Sequence, residues 1–310
     1  MAPKGQGRKI AIIGASGQIG KPTVEALLSH GGHTITALQR PEATRTFAEE
    51  VIVKKGNLED ETFLTDALKG QDAVVLMPPL SHLLKLQEPA VRVAAKVGVP
   101  YVFPAEFGPD PFAGKLVGEN ELLRAKKKIR DLVEELGVSS WVSIAVGPWL
   151  DDCLKAGLWG IDYKARKATL WHGADARANT ASIAHAGEAL AAVLSLPEAD
   201  LAKYKNKAVY APSFFLTQRE ILEAVQRVTE TTDADWDIET RDVKEVETEY
   251  EEKIKQGDGV APYTKFIVTH FLKGHGGDFQ NKIDEAEVEK LGRLGLQKET
   301  LEQVIKKGLQ

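Results

Sequence analysis

Lys9-Ile10-Ala11-Ile12-Ile13-Gly14-Ala15-Ser16-Gly17-Gln18-Ile19-Gly20 is the stretch whose reading decides the fold. An apolar run ends in three spaced glycines, and the helix-compatible segment Pro22-Thr23-Val24-Glu25-Ala26-Leu27-Leu28 follows at once. A strand buried on both faces reads as a short unbroken apolar run. The glycines let the backbone turn tightly and approach a ligand closely. The next helix points free N–H groups and the positive end of its dipole at that ligand. Together these features predict a pyrophosphate site, and so a bound dinucleotide. The spacing is Gly-x-x-Gly-x-x-Gly rather than Gly-x-Gly-x-x-Gly, and glycine punctuates many turns. The strand before and the helix after carry the weight, because an ordinary strand-to-helix turn rarely needs three glycines.

Outward from that point, strands and helices alternate. Strands are predicted at 9–13, 34–38, 51–54, 73–77, 101–103 and 141–146, and helices at 18–30, 61–69, 83–97 and 119–136. Gly31-Gly32 and Gly98 stand where helix C-terminal caps belong. Alternation with short connections implies a parallel sheet covered on both faces, and right-handed crossovers make it doubly wound. The fold class read here is α/β, a Rossmann-type sheet with a smaller C-terminal α+β domain. Residues 1–150 are assigned to the nucleotide-binding domain and 151–310 to a substrate domain capping the carboxyl ends of the strands. The chain is expected to return to the sheet near 180–210. In the second half, 150–180 reads as loop-like, helices are predicted at 183–194, 217–229, 242–256, 262–271 and 299–307, and weak strands near 208–210 and 236–238.

The 310 residues suffice for one large or two unequal domains. No apolar stretch approaches the roughly 18 residues that span a bilayer. Met1–Arg8 has no apolar segment resembling a secretory signal, and a lone Cys153 cannot form an internal disulfide. A cytoplasmic protein with no membrane partner is the expectation. The net charge of −5 argues against nucleic acid as a partner. The basic cluster Arg124–Arg130 is read first as a solvated helix face. The histidines show no ligand spacing, so no metal is expected.

The end of the second strand selects the dinucleotide. An acidic residue there accepts from the ribose 2′-hydroxyl of NAD, whereas an arginine accommodates the 2′-phosphate of NADP. Here the stretch is Thr36-Ala37-Leu38-Gln39-Arg40-Pro41, with no carboxylate before Glu42. A guanidinium makes paired, charge-assisted bonds to phosphate, so NADP(H) is expected with Arg40 on its 2′-phosphate.

Three motifs then resemble one family. They are Gly14-Ala-Ser-Gly17-Gln-Ile-Gly20, Pro104-Ala105-Glu106-Phe107-Gly108, and Lys126-Lys127-Lys128-Ile129-Arg130 ahead of Leu136-Gly137-Val138. The chain resembles the isoflavone reductase-like proteins, including phenylcoumaran benzylic ether reductases, within the NmrA-like atypical short-chain dehydrogenases. Gly157–Leu170 looks like the fungal members. The resemblance runs from residue 9 to about 195. It implies a Rossmann domain, a small substrate domain and NADPH. It also implies a catalytic lysine three residues ahead of the isoleucine in Lys-x-x-Ile-Arg, which is Lys126 here. Expected cofactor contacts are Gly14, Ser16, Gly17, Gln18, Ile19, Gly20, Arg40, Pro78, Glu106 and Phe107. Ala105 departs from the serine usual in the plant proteins, and Gly147-Pro148-Trp149-Leu150 departs from their motif after the sixth strand. Substrate identity therefore does not carry over.

The helix pattern offers an independent check on Lys126. Leu122, Ala125, Ile129, Leu132, Val133 and Leu136 are predicted to form one apolar stripe, with Lys126 on its edge. Lys127 and Lys128 fall off that stripe. A lysine aimed inward needs a reason, since burying an unpaired ammonium is costly, although it can also snorkel to the surface. A rival motif, Tyr163-x-x-x-Lys167, matches the catalytic pair of the better-known short-chain dehydrogenases. It follows Gly160 and reads as strand or hairpin, where the pair would not meet as it does on a helix.

Two functions remain. The first is an NADPH-dependent reductase of a small, apolar, aromatic or conjugated carbonyl or ether compound. Phe107, Phe112, Trp149, Trp159, Trp171 and Phe266 are candidates for its pocket or else plain core residues. The second is a non-catalytic NADP-sensing regulator. A homodimer is possible under either reading.

Overall fold

The computed structural model describes residues 6–310; the residues 1–5 of the leader-free reading above lie outside the described part. The first half runs β1 (Lys9–Ile13), α1 (Gly20–His30), β2 (Thr34–Gln39), β3 (Val51–Lys55), α2 (Glu61–Leu68), β4 (Ala73–Leu76), α3 (Leu83–Val97), β5 (Tyr101–Phe103), α4 (Gly114–Glu119), α5 (Glu121–Leu136) and β6 (Ser140–Ala145). The second half runs α6 (Leu150–Lys155), β7 (Ile161–Asp162), β8 (Lys167–His172), β9 (Ala178–Thr180), α7 (Ile183–Leu194), α8 (Glu198–Leu201), β10 (Lys207–Tyr210), β11 (Phe214–Leu216), α9 (Gln218–Thr229), β12 (Asp237–Asp242), α10 (Val243–Lys255), α11 (Ala261–His270), α12 (Glu285–Arg293) and α13 (Leu301–Gly308).

Seven parallel strands form the central sheet in the order β10-β6-β5-β4-β1-β2-β3. This is the doubly wound α/β arrangement. The strand order reverses between β1 and β4, and a crevice opens beyond the carboxyl ends of those two strands. The sheet core is built of the apolar runs read from the sequence, with Ile10, Ile12, Val75, Phe103 and Ile144 fully buried.

The chain does return to the sheet after residue 150. Helix α7 packs along α1, where a side chain on Gly187 would collide with the backbone of Pro22 and Thr23. Ser182 caps α7 by accepting from His185 N–H at 3.0 Å. Strand β10 then adds beside β6 in parallel register, Ala208 opposite Ser143.

The rest of the second half has its own core around Trp159, Trp171, Phe271 and Trp236. It carries a three-stranded sheet, β12-β8-β7, and a two-stranded one, β11-β9. The stretch 150–180 is not simply loop-like: it contains α6 and three short strands. Helix α12 is also absent from the sequence reading. Its apolar residues are sparse, with only Leu291 buried. The helix predicted over 119–136 is broken at Asn120, whose extended backbone (φ −115°, ψ 119°) separates α4 from α5. No helix among the described residues is long and apolar enough to cross a membrane.

Candidate active site

The glycine loop sits at the reversal point. Gly14 has φ +87°, a left-handed conformation that suits glycine, and a Cβ there would drive into the carbonyl oxygen of Met77 at the end of β4. A Cβ on Gly20 would strike the Gly14 carbonyl. Gly17 donates to Gly14 O at 2.9 Å and closes the turn. Ser16, Gly17 and Gln18 are exposed, while Ile19 is buried beneath them. The amides of Ser16, Gln18, Ile19 and Gly20 find no acceptor among the described residues. A tight loop with free N–H groups at a helix start fits a pyrophosphate. Pro78, directly after Met77 at the carboxyl end of β4, is buried. Gln18 also reaches across to the second half, donating to Asp152 Oδ1 at 2.9 Å.

Arg40 is the first residue beyond β2, exposed and paired with Glu42 at 3.3 Å. Below it the buried Gln39 donates to Arg45 O at 3.1 Å and folds the following loop back over the strand end.

The loop after β5 is tied to α5 by a buried ion pair. Glu106 is 2% exposed and Arg130 6% exposed, and the guanidinium donates directly to the Glu106 carboxylate. Arg130 also donates to Pro111 O at 3.0 Å and lies 5.5 Å over the Trp141 ring. The Glu106 backbone carbonyl accepts from Ile144 N–H at 2.9 Å. Phe107 belongs to the sheet core, and its carbonyl accepts from the Trp149 indole at 2.7 Å. Glu106 thus presents a carboxylate committed within the protein, and Phe107 a buried ring.

Lys126 stands on α5 one turn before Arg130. The residue retains some exposed surface, but its ammonium is enclosed, and desolvation pushes its pKa down to about 8. It has no ion pair or hydrogen bond among the described residues. Lys127 pairs in solvent with Asp131 at 2.7 Å, and Lys128 is exposed. The buried stripe of α5 is Leu123, Ile129, Arg130, Leu132 and Val133. Ile129, Leu132 and Val133 are shared with the predicted stripe, and Leu136 packs half-buried beside them, whereas Leu123 and Arg130 are buried in place of Leu122 and Ala125. Leu123 turns into a small cluster with Leu116 and Val117, while Leu122 and Ala125 face a cleft.

That cleft has a volume of about 690 Å³. Its walls are the segment after β4 (Leu80, Leu83, Leu84), the start of α5 (Asn120, Leu122, Ala125) and the α10–α11 corner (Ile254, Tyr263, Phe266). Lys126 is not itself a lining residue; on the helix it follows Ala125 and stands one turn beyond Leu122, both of which are. Of the six aromatic residues considered from sequence, Phe266 lines the cleft. Trp159 and Trp171 are core residues packed on Phe271, Trp149 is half-buried over Phe107, and Phe112 is exposed against Trp141. Asn120, Leu122 and Tyr263 carry no sequence signal of their own: only the helix break and the packing of α11 bring them together.

Tyr163 and Lys167 do not share a helix. They flank the turn of the β7–β8 hairpin, with Asp162 paired to Lys167, and Lys167 lies 3.7 Å from Asp237. Tyr163→Phe is therefore expected to leave turnover within about twofold of wild type, as a substitution remote from the reacting atoms. A steady-state assay showing lost turnover with normal cofactor binding would restore the pair. Among the described residues no group of three or more His, Cys, Asp or Glu side chains could hold a metal.

The sheet order and the glycine loop at its reversal point define a Rossmann-type doubly wound α/β protein. The chain belongs to the NmrA-like family, whose model matches residues 6–261. It is similar to the oxidoreductase aprR of Aspergillus flavus, 25% identical over 279 residues, covering 87% of this chain and 90% of that protein. A probable pinoresinol-lariciresinol reductase 3 of Arabidopsis thaliana is 27% identical over 136 residues, covering 42% of this chain and 44% of that one. Among solved structures, AtPrR2 with NADP+ and (+)pinoresinol superposes with a TM-score of 0.77 at 20% identity, covering 97% of this chain and 99% of that one. The leucoanthocyanidin reductase–NADPH complex from Vitis vinifera gives 0.73 at 18% identity, covering 97% and 100%. At such identities the superpositions establish the fold.

Proposed function

We propose that this protein is an NADPH-dependent reductase of a small, largely apolar, aromatic or conjugated carbonyl or ether compound, with Lys126 as acid and electrostatic catalyst. The observation that carries this reading is the desolvated ammonium of Lys126, unpartnered among the described residues, one helical turn beyond Leu122 of the cleft wall. A buried cation without a partner costs stability, and such costs concentrate at functional sites. The relatives named above, oxidoreductases and reductases, support the same class.

NADPH, when bound, supplies the hydride. The loop Gly14–Gly20 would hold the pyrophosphate through its free amides, with Ser16, Gln18 and Ile19 contributing backbone N–H groups. Arg40 would exchange Glu42 for the 2′-phosphate. Pro78 would contact the cofactor directly, and Glu106 and Phe107 would shape its site from beneath, Glu106 through its hold on Arg130. Leu80, Leu83, Leu122, Tyr263 and Phe266 exclude water from the cleft. Lys126 keeps a proton on Nζ below about pH 8 and delivers it to the substrate oxygen on which negative charge develops. The regulator reading leaves this ammonium without a role.

Oxidation of NADPH, followed at its absorbance band against a panel of aromatic enones and benzylic ethers, tests the reading. Absence of turnover across the panel would refute it. Cofactor choice has its own test. Arg40→Ala is expected to weaken NADPH by about ten- to a hundredfold, the loss of one charge-assisted phosphate contact, and to leave NADH nearly unchanged. Equal wild-type affinities for the two dinucleotides, or an unchanged ratio in the variant, would remove Arg40 from the site.

A further inference from the structure

The strongest unexplained polar group outside the proposed machinery is the amide of Asn120, at the break between α4 and α5. It is 5% exposed, and its residue lines the cleft. Its orientation follows from its neighbours. Nδ2 lies 2.8 Å from Leu116 O, a carbonyl that can only accept. It also lies 3.3 Å from Thr269 Oγ1, whose hydroxyl donates to Phe266 O at 2.8 Å and so accepts from Asn120. Both contacts require the nitrogen on that side, so the amide cannot be flipped.

Oδ1 is left with no donor among the described residues. It is also not one of the sealed, partnerless atoms of the core, so it keeps an opening to the cleft. Asn120 does not use this oxygen to cap α5, although it occupies the N-cap position, where an asparagine ordinarily would. The wall also carries charged side chains, but Asn120 is its one buried polar residue, and a rigid, nearly buried acceptor is complementary to a single hydrogen-bond donor on a ligand. Of the carboxylates lining the cleft, Glu119 is engaged by His275 at 2.9 Å and Glu251 by Lys265 at 2.7 Å, while Glu121 is exposed and already solvated, so only Asn120 offers a nearly buried acceptor.

We infer that Asn120 is a specificity-determining residue whose Oδ1 accepts a hydrogen bond from a hydroxyl on the aromatic substrate. This rests on the cleft being the substrate site of the reductase proposed above. A site built to accept from a hydroxyl discriminates against an analogue that cannot donate, because the buried acceptor then stays unpaired. An O-methyl ether is such an analogue: it is similar in shape, apolar and without the proton.

The test reads binding, so it does not depend on turnover. Monohydroxychalcones and their methyl ethers are titrated into the full-length NADP+-saturated protein by calorimetry. At least one hydroxyl isomer is expected to bind about tenfold more tightly than its own ether. In Asn120→Leu the difference for that pair should fall to within about twofold, with NADPH affinity retained. Equal affinities throughout the set, or no binding to the wild type, would overturn the assignment. So would discrimination that persists in the folded variant. If Asn120→Leu does not fold, the wild-type hydroxyl-to-ether comparison still decides. NADPH oxidation by other aromatic compounds, measured separately, tells a failed assignment of Asn120 from a failed reductase.

Discussion

Lys126→Met is expected to lose roughly 10²–10⁴-fold in kcat while NADPH affinity stays near wild type, because a positioned proton donor goes and the phosphate contacts lie elsewhere. Methionine keeps the length and removes the charge. Lys127→Met and Lys128→Met are the controls, since both side chains are solvated. The pH dependence should follow the same group. The acid is protonated below about pH 8, so kcat falls as pH rises through that value.

Stability should move in the opposite direction. The lysine binds its proton more weakly in the folded state, about 8 against 10.5, so the native protein carries the full cost of the charge below pH 8. That cost is relieved as pH rises from about 8 to 10.5. Lys126→Met removes it outright and should add about 1–3 kcal/mol at pH 7, read as a higher denaturation midpoint. Unchanged turnover in Lys126→Met, or an equal loss in either control, would end the catalytic assignment. A less stable Lys126→Met would contradict the enclosed ammonium.

The second large effect is expected at the Glu106–Arg130 pair. Burial weighs against the guanidinium's charge and lowers its pKa, and the carboxylate beside it has almost no solvent. Removing one partner strands the other. Glu106→Gln and Arg130→Met should each cost about 3–5 kcal/mol in urea denaturation, while the double variant should recover much of that loss. Single variants that unfold at the wild-type midpoint would show the pair to be energetically idle.

The sheet was the legible part of this chain. Runs such as Ala73-Val74-Val75-Leu76 and Trp141–Ala145 are buried on both faces, and that pattern does not depend on distant partners. The glycine loop was legible for a related reason: Gly14 and Gly20 answer to steric limits set within a few residues and by the neighbouring strand. The cleft was not. Its walls come from segments near 80, 122 and 263, and nothing local in Leu122 or Tyr263 announces that they meet. The start of the α5 stripe differs because Leu123 is drawn into the cluster with Leu116 and Val117 on α4, a helix the sequence pattern does not announce. Gly118 stands two residues before the break, but the hydrogen bonds of Asn120 to Leu116 and Thr269 come from packing. For the aromatic residues composition leaves pocket and core equally open, and only packing decides: Trp159 and Trp171 anchor the second core with Phe271.

The late arrival of β10 and α7 bears on how the molecule can be made. The polypeptide emerging from the ribosome completes five crossovers by residue 145 but still lacks the edge strand beside β6 and the helix over α1. The intervening excursion, β7 to β9, must be accommodated before residues 183–210 can dock. A fragment stopped near residue 150 would carry a bare β6 edge and an uncovered apolar face on α1, both invitations to aggregate. Long-range closure of this kind slows folding, and the two cores are joined by five chain passages rather than by a single hinge, since α12 returns to the sheet core before α13 rejoins the second.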